Sequence, residues 1–251
     1  MKNTWQWVMR AAAAAALALI TLAGTAAPGA AAQHAPDSHE RELVTAVELP
    51  GGIVKVTIYT PAPGVSVEQL AANLGITAPA RVIRPMDPFQ CYYGTAYALD
   101  SGRCPPIKWS GTRPVVYFRD YSNANWPFSA AIPSWNTSPD IDVWHRTSAC
   151  PSGSHCVTVY NGNYGATGLE GETTYSYYTT SRTFVDGTVV IKVNDYYHST
   201  YSQRRQTACH EVGHAIGVGH NVSTASCIYA VGGTAQNPSG DDINLLTHVI
   251  Y

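Results

Sequence analysis

His210-Glu211-Val212-Gly213-His214-Ala215-Ile216-Gly217-Val218-Gly219-His220 decides how this chain is read. His210 and His214 are four residues apart, so on a helix their rings stand side by side, within reach of one ion. Glu211 follows the first histidine directly and brings a carboxylate beside that ion without having to bind it. Gly217 can take a positive φ and end the helix. The chain then turns, and His220 can swing back as a third donor. Three neutral imidazoles and a water make a tetrahedral zinc site with one open position, the mark of catalytic rather than structural zinc. Unrelated histidines would explain neither the glycine nor the ordered spacing.

The pattern extends outward from this segment. Thr200 and Gln203 fit a capping box at the start of the helix. Ala208, Val212, Ala215 and Ile216 fall on one side of it, with His210 and His214 nearly opposite, so one face meets a core. Upstream, residues 114–118, 141–144, 155–160, 173–179 and 188–193 read as strands, while Phe128, Ala131, Ile132 and Trp135 recur at helical intervals. Downstream, Ser239-Gly240-Asp241-Asp242 reads as the capped start of a last helix carrying Ile243, Leu246, Val249 and Ile250. Near the N-terminus, two apolar runs flank Pro50-Gly51-Gly52 as a β-hairpin. Ser66 and Gln69 cap a short helix ending at Gly75. Residues 42–85 thus form a ββα module that carries no recognisable chemistry.

Composition sets the class. The 251 residues are 45% hydrophobic but only 13% charged, with a net charge of −2, against roughly 25% charged in an average soluble domain. No basic block exists, which argues against nucleic acid as a partner. Lys2 and Arg10, an uncharged run over 11–27, and small residues around 29–32 read as a signal peptide spanning 1–32. Its loss takes the 15 basic residues to 13 against 17 acidic ones, a net −4. An exported chain with six cysteines reads as three disulfides. The nearest-neighbour pairing 91–104, 150–156 and 209–227 is one of 15 possibilities. The expected protein is secreted, extracellular and monomeric, with no membrane association after signal cleavage.

The segment from His210 to His220 resembles the extended zinc-binding motif of the metzincins, a clan of zinc endopeptidases. The stretch from Ile107-Lys108-Trp109 through Trp135 to His220 is similar to the matrixin-like branch. The resemblance implies an α/β fold over 107–251: a twisted, mostly parallel five-stranded sheet, two backing helices and a C-terminal helix. The active-site helix ends at Gly217. The cleft lies under an edge strand, best matched by 173–179 with 188–194 beside it. Residues 33–106 then form the N-terminal ββα module and a disulfide-linked connector, either a propeptide or part of the mature protein. Two positions depart from the family. Ile228 stands where a methionine turn is expected beneath the metal, and Tyr229 follows it as an aromatic near the substrate pocket. Ile is apolar and of similar volume, so the exchange costs under about 1.5 kcal/mol. The family's latency cysteine has no counterpart, because Cys91 in Phe89-Gln90-Cys91-Tyr92 lacks the surrounding motif.

The reaction implied is peptide hydrolysis by a zinc-activated water, with Glu211 as general base and then general acid. Protein or peptide substrates are the expected partners, zinc the expected metal, and no organic cofactor is expected. Calcium has no motif to support it: His145, His155, His198, Asp120, Asp186 and Asp195 have no ligand spacing. Two other readings stay open. One is a zinc-bound but weakly active protease-like binding protein or effector, and the other a zinc hydrolase acting on something other than peptides.

Overall fold

Period-two alternation builds most of the molecule. In β5 (Val115–Asp120) Val116 and Phe118 turn inward, and in β7 (His155–Gly162) Val157 and Val159 do the same. The computed structural model describes residues 42–77, 91–99, 104–230 and 232–251. All of them belong to one compact unit, Pro36–Tyr251. The expected signal segment, 1–32, lies outside the described residues.

With β1 (Leu43–Leu49), β2 (Ile53–Pro61), β6 (Asp142–Arg146), β8 (Leu169–Tyr178) and β9 (Val190–Asn194), the two strands above form one seven-stranded sheet. Its order is β1-β2-β8-β9-β7-β5-β6. The β6-β5-β7-β9 half is parallel, and the β9-β8-β2-β1 half is antiparallel. The expected five-stranded, mostly parallel sheet is therefore enlarged into a mixed one. The N-terminal hairpin is present, but Val56 and Ile58 bury their side chains only by adding β2 to β8. Consequently β8 is an inner strand, not the expected edge, although β9 does lie beside it.

A second sheet of β3 (Tyr92–Tyr93), β4 (Ala96–Ala98) and β10 (Val218–Asn221) has the order β10-β4-β3. Among the described residues four helices complete the fold: α1 (Val67–Asn73), α2 (Phe128–Ala131), α3 (Tyr201–Ala215) and α4 (Gly240–Leu245). A 3-10 turn, Ile132–Trp135, extends α2, and a π turn, Leu246–Ile250, follows α4. The capping boxes at Ser66, Thr200 and Ser239 all form.

The core lies between the main sheet and α3. It contains Trp109, Phe118, Trp135, Ile191, Val212 and Ile228. Both buried tryptophans hold α3 by their indole N–H groups, Trp109 donating to Ala215 O at 3.0 Å and Trp135 to Cys209 O at 3.2 Å. The expected core-facing side of α3 is present, and its opposite side is enclosed as well: every residue from Thr207 to Ala215 is buried. Its histidine face is covered by β8, the hairpin and the segment around Ile228. The three disulfides are Cys91–Cys104, Cys150–Cys156 and Cys209–Cys227, the nearest-neighbour set. Among the described residues no helix is long and apolar enough to cross a membrane.

Candidate metal centre

Helical spacing places His210 and His214 as expected, with ring centroids 4.7 Å apart on the buried stretch of α3. Gly217 takes φ +102° just past the helix. A Cβ there would also meet Ile107 O at 2.7 Å. The turn it permits sends the chain into β10, whose pairing with β4 fixes His220 against the other two rings, 5.5 and 5.3 Å away.

The ring orientations follow from backbone acceptors. His210 Nδ1 donates to Cys227 O at 3.1 Å and His214 Nδ1 to Val218 O at 2.9 Å. Each neutral ring therefore carries its proton on Nδ1 and turns a bare Nε2 inward. The two Nε2 atoms are 3.1 Å apart. Two lone pairs facing each other at that distance need a cation or a proton between them. His220 Nε2 is buried and makes no hydrogen bond, although it lies 2.8 Å from a carboxylate oxygen of Glu42.

Glu42 is the residue that sequence reasoning missed. Its Oε1 lies 2.8 Å from His210 Nε2 and 3.4 Å from His214 Nε2. Glu42, His210, His214 and His220 form a four-donor cluster, all ligand atoms within 4.8 Å of one another, that could hold a metal ion. It is the only such group among the described residues. A tetrahedron with ligand bonds of 2.0–2.1 Å has edges of about 3.3 Å, close to the spacing of these donors. No local signal could have found Glu42, a lone carboxylate ahead of a hairpin.

Glu211 sits beside the cluster, fully buried, and takes no part in it. Alternation along β8 turns Gly171 and Thr173 to the same face, toward α3. Thr173 donates from Oγ1 to Glu211 Oε2 at 2.6 Å. Gly171 leaves the room Glu211 needs, since a Cβ there would lie 2.5 Å from Oε1. Thr60 Oγ1 lies 2.7 Å from Glu211 Oε1 and 2.9 Å from Glu42 Oε1.

Burial alone would raise the Glu42 carboxyl, but the surrounding His220, His214 and His210 outweigh it and hold it well below the usual carboxylate value. Burial pushes the Glu211 carboxyl up, with Glu42 adding to the effect and His210, His214 and Thr173 opposing it. Burial would depress His214, yet Glu42 above all, with help from Glu211 and the Val218 carbonyl, drives it up to about 9. A proton held that firmly competes with a metal ion for the same nitrogen.

Ile228 is fully buried beneath the histidines and packs against α3 at Gly213. A Cβ on Gly213 would lie 2.5 Å from Ile228 Cδ1 and 2.8 Å from Trp135 Cζ2. The isoleucine tip can move, but the buried, hydrogen-bonded indole cannot. Overpacking costs roughly 1–3 kcal/mol, while alanine regains about 1 kcal/mol of helix propensity. Gly213→Ala is therefore expected to lower stability by up to about 2 kcal/mol, read as a reduced urea midpoint at unchanged slope.

The floor is tied down by a further buried carboxylate. Asp242 of α4 accepts from Ser226 Oγ (2.6 Å), Asn221 Nδ2 (2.7 Å) and the Ser239 amide (2.6 Å). It thus joins the segment before Ile228 to β10. Tyr229 lies outside the donor cluster, next to Gly233. A cavity of about 270 Å³ opens nearby, lined by Thr60, Pro61, Glu170, His198, Gln206 and Ala230 among others.

The other polar candidates pair among themselves. His145 contacts Asp120 at 2.9 Å, His155 contacts Asp186 at 2.7 Å and His198 contacts Glu170 at 2.7 Å. Asp195 accepts from Trp126 Nε1 at 2.6 Å and from Asn161 Nδ2 at 2.7 Å.

Comparison with models of known protein families finds no match, and comparison with curated protein sequences finds no relative.

Proposed function

We propose that this chain is an exported zinc endopeptidase of the metzincin kind, in its matrixin-like branch. The observation that carries the reading is the inward set of imidazole nitrogens on His210, His214 and His220, with a carboxylate outside the donor set, Glu211, held beside it by Thr173 and Thr60. The donor set suits zinc: borderline-soft nitrogen and oxygen ligands at tetrahedral spacing, oriented by backbone carbonyls. When bound, zinc would lower the pKa of water to about 7 and polarise a peptide carbonyl.

The chain's own residues would do the rest. Glu211, raised above the ordinary carboxylate range by burial, would accept the proton of the attacking water and pass it to the leaving amine. Thr173 orients that carboxyl through one oxygen and leaves the other free for the proton once Thr60 is withdrawn. An extended peptide would add to the side of β8 that β2 now covers, once β2 is displaced. Ile228 and the Cys209–Cys227 disulfide hold the floor from which the histidines project.

Metal analysis combined with a peptide-library cleavage assay tests the proposal. The expected result is one zinc per chain and cleavage abolished by a chelator. Absence of new termini in every form of the protein would reject it. One observation favours the second reading, a metal-holding protein of little turnover: Glu42 stands where an open position is required.

A further inference from the structure

The hairpin register explains how Glu42 reaches the metal site. Leu43 lies opposite Tyr59 and Val44 opposite Ile58, so one further step toward the N-terminus sets Glu42 opposite Thr60. Thr60 in turn pairs with Gly171 of β8. Glu42, Thr60 and Gly171 thus form one row across three strands, all on the face toward α3. Thr60 meets Glu211, and Glu42 meets the three histidines. A one-residue slip would send the row to the opposite face, so the contact is specified by the whole nine-residue ladder between β2 and β8. That ladder also occupies the edge to which an extended peptide would add.

Resting on the peptidase reading, we infer that residues 42–61 are a built-in latch, with Glu42 as fourth donor to the metal and β2 as a resident strand in the substrate groove. The described form is then latent, and the site opens when the hairpin leaves. Glu42 fits this role because it approaches from a different element than the histidines. The three histidines lie within an eleven-residue segment of α3 and β10, and Glu42 comes from the hairpin alone. Departure of the hairpin removes one ligand, the strand on the side of β8 away from β9 and the Thr60 contact to Glu211, and leaves the three-histidine set in place. The hairpin's share of the main core is small, namely Val44, Val56 and Ile58 with Val54 against them. The remainder packs in a separate cluster of Leu43, Leu70 and Leu169.

The test uses the full chain loaded with cobalt(II), whose visible spectrum reports ligand number, in wild type, Glu42→Ala and Glu42→Gln. Acetohydroxamate is the probe, small enough to reach the ion without adding a strand. The wild-type spectrum should not respond to it. Glu42→Ala should keep one cobalt per chain and bind acetohydroxamate at least tenfold more tightly. Glu42→Gln retains the side-chain volume and a contact to Thr60, and should show the same gain if the alanine variant does not fold. Equal responses in wild type and variants would overturn the latch. So would loss of cobalt in the variants alone, which would make Glu42 a permanent structural ligand. Failure of every form to bind cobalt would overturn the latch together with the zinc reading. An opened site that never cleaves a peptide, even in a form lacking the hairpin, would leave the latch standing and reject only the peptidase.

Discussion

Glu211→Gln, introduced into the active form, should lower kcat on the order of 10²–10⁴-fold, the usual contribution of a positioned general base. Zinc content and KM should remain as in the parent. Gln preserves the side-chain volume, so Gly171 still clears it and Thr173 can still donate to its carbonyl oxygen. What Gln lacks is a site that takes up a proton. Turnover within tenfold of the parent, at equal zinc content, would remove Glu211 from the reaction. Steady-state kinetics with metal analysis on the same preparation distinguishes this from simple loss of metal.

The second large effect is on stability. Asp242→Ala leaves the buried Ser226 hydroxyl without its acceptor and the buried Asn221 amide with only Ser239 Oγ at 3.0 Å. It also removes the reciprocal partner of Ser239 at the start of α4. Orphaned buried donors cost about 1–3 kcal/mol each, so a loss of about 3–5 kcal/mol is expected, near the limit for a single substitution. Zinc affinity should fall as well, because Asn221 follows His220 in β10. The neighbouring Asp241 is the control. It is half-buried and accepts from a single residue, Thr95 (2.9 and 2.6 Å), so Asp241→Ala should cost clearly less in the same thermal melt. Equal shifts in the two variants would show that the Asp242 network carries no special weight.

Local patterns were the legible ones. The helix bearing His210 and His214, the turn at Gly217 and the return of His220 lie within eleven residues, where spacing alone dictates geometry. The capping boxes and the nearest-neighbour disulfides are local for the same reason. Glu42 was illegible because its histidine partners, out to His220, lie 168 residues away or more and are reached only through the β2–β8 register. Asp242 read as a helix cap, which it is; its hold on Ser226 and Asn221 depends on tertiary packing. The strand at 173–179 was correctly read as a strand and wrongly as an edge. Alternation reports which faces are buried but not which strand lies alongside. The doubly buried character of α3 escaped for a related reason, since polar residues on its second face meet other polar residues rather than solvent.

The Cys209–Cys227 disulfide closes a ring in which His210, Glu211, His214 and His220 all lie, and Glu42 does not. Covalent closure of a loop of this length takes roughly 3 kcal/mol of conformational freedom from the unfolded chain. It also keeps three imidazoles at high effective concentration before any tertiary structure exists. If the site takes a metal as proposed, the ion would bind the unfolded ring as well as the folded site, and whatever affinity the ring retained would be subtracted from the stabilisation that the metal lent to the fold. Loading and folding would thereby be partly uncoupled: the oxidised chain would collect its ion first and assemble the sheet around it afterwards.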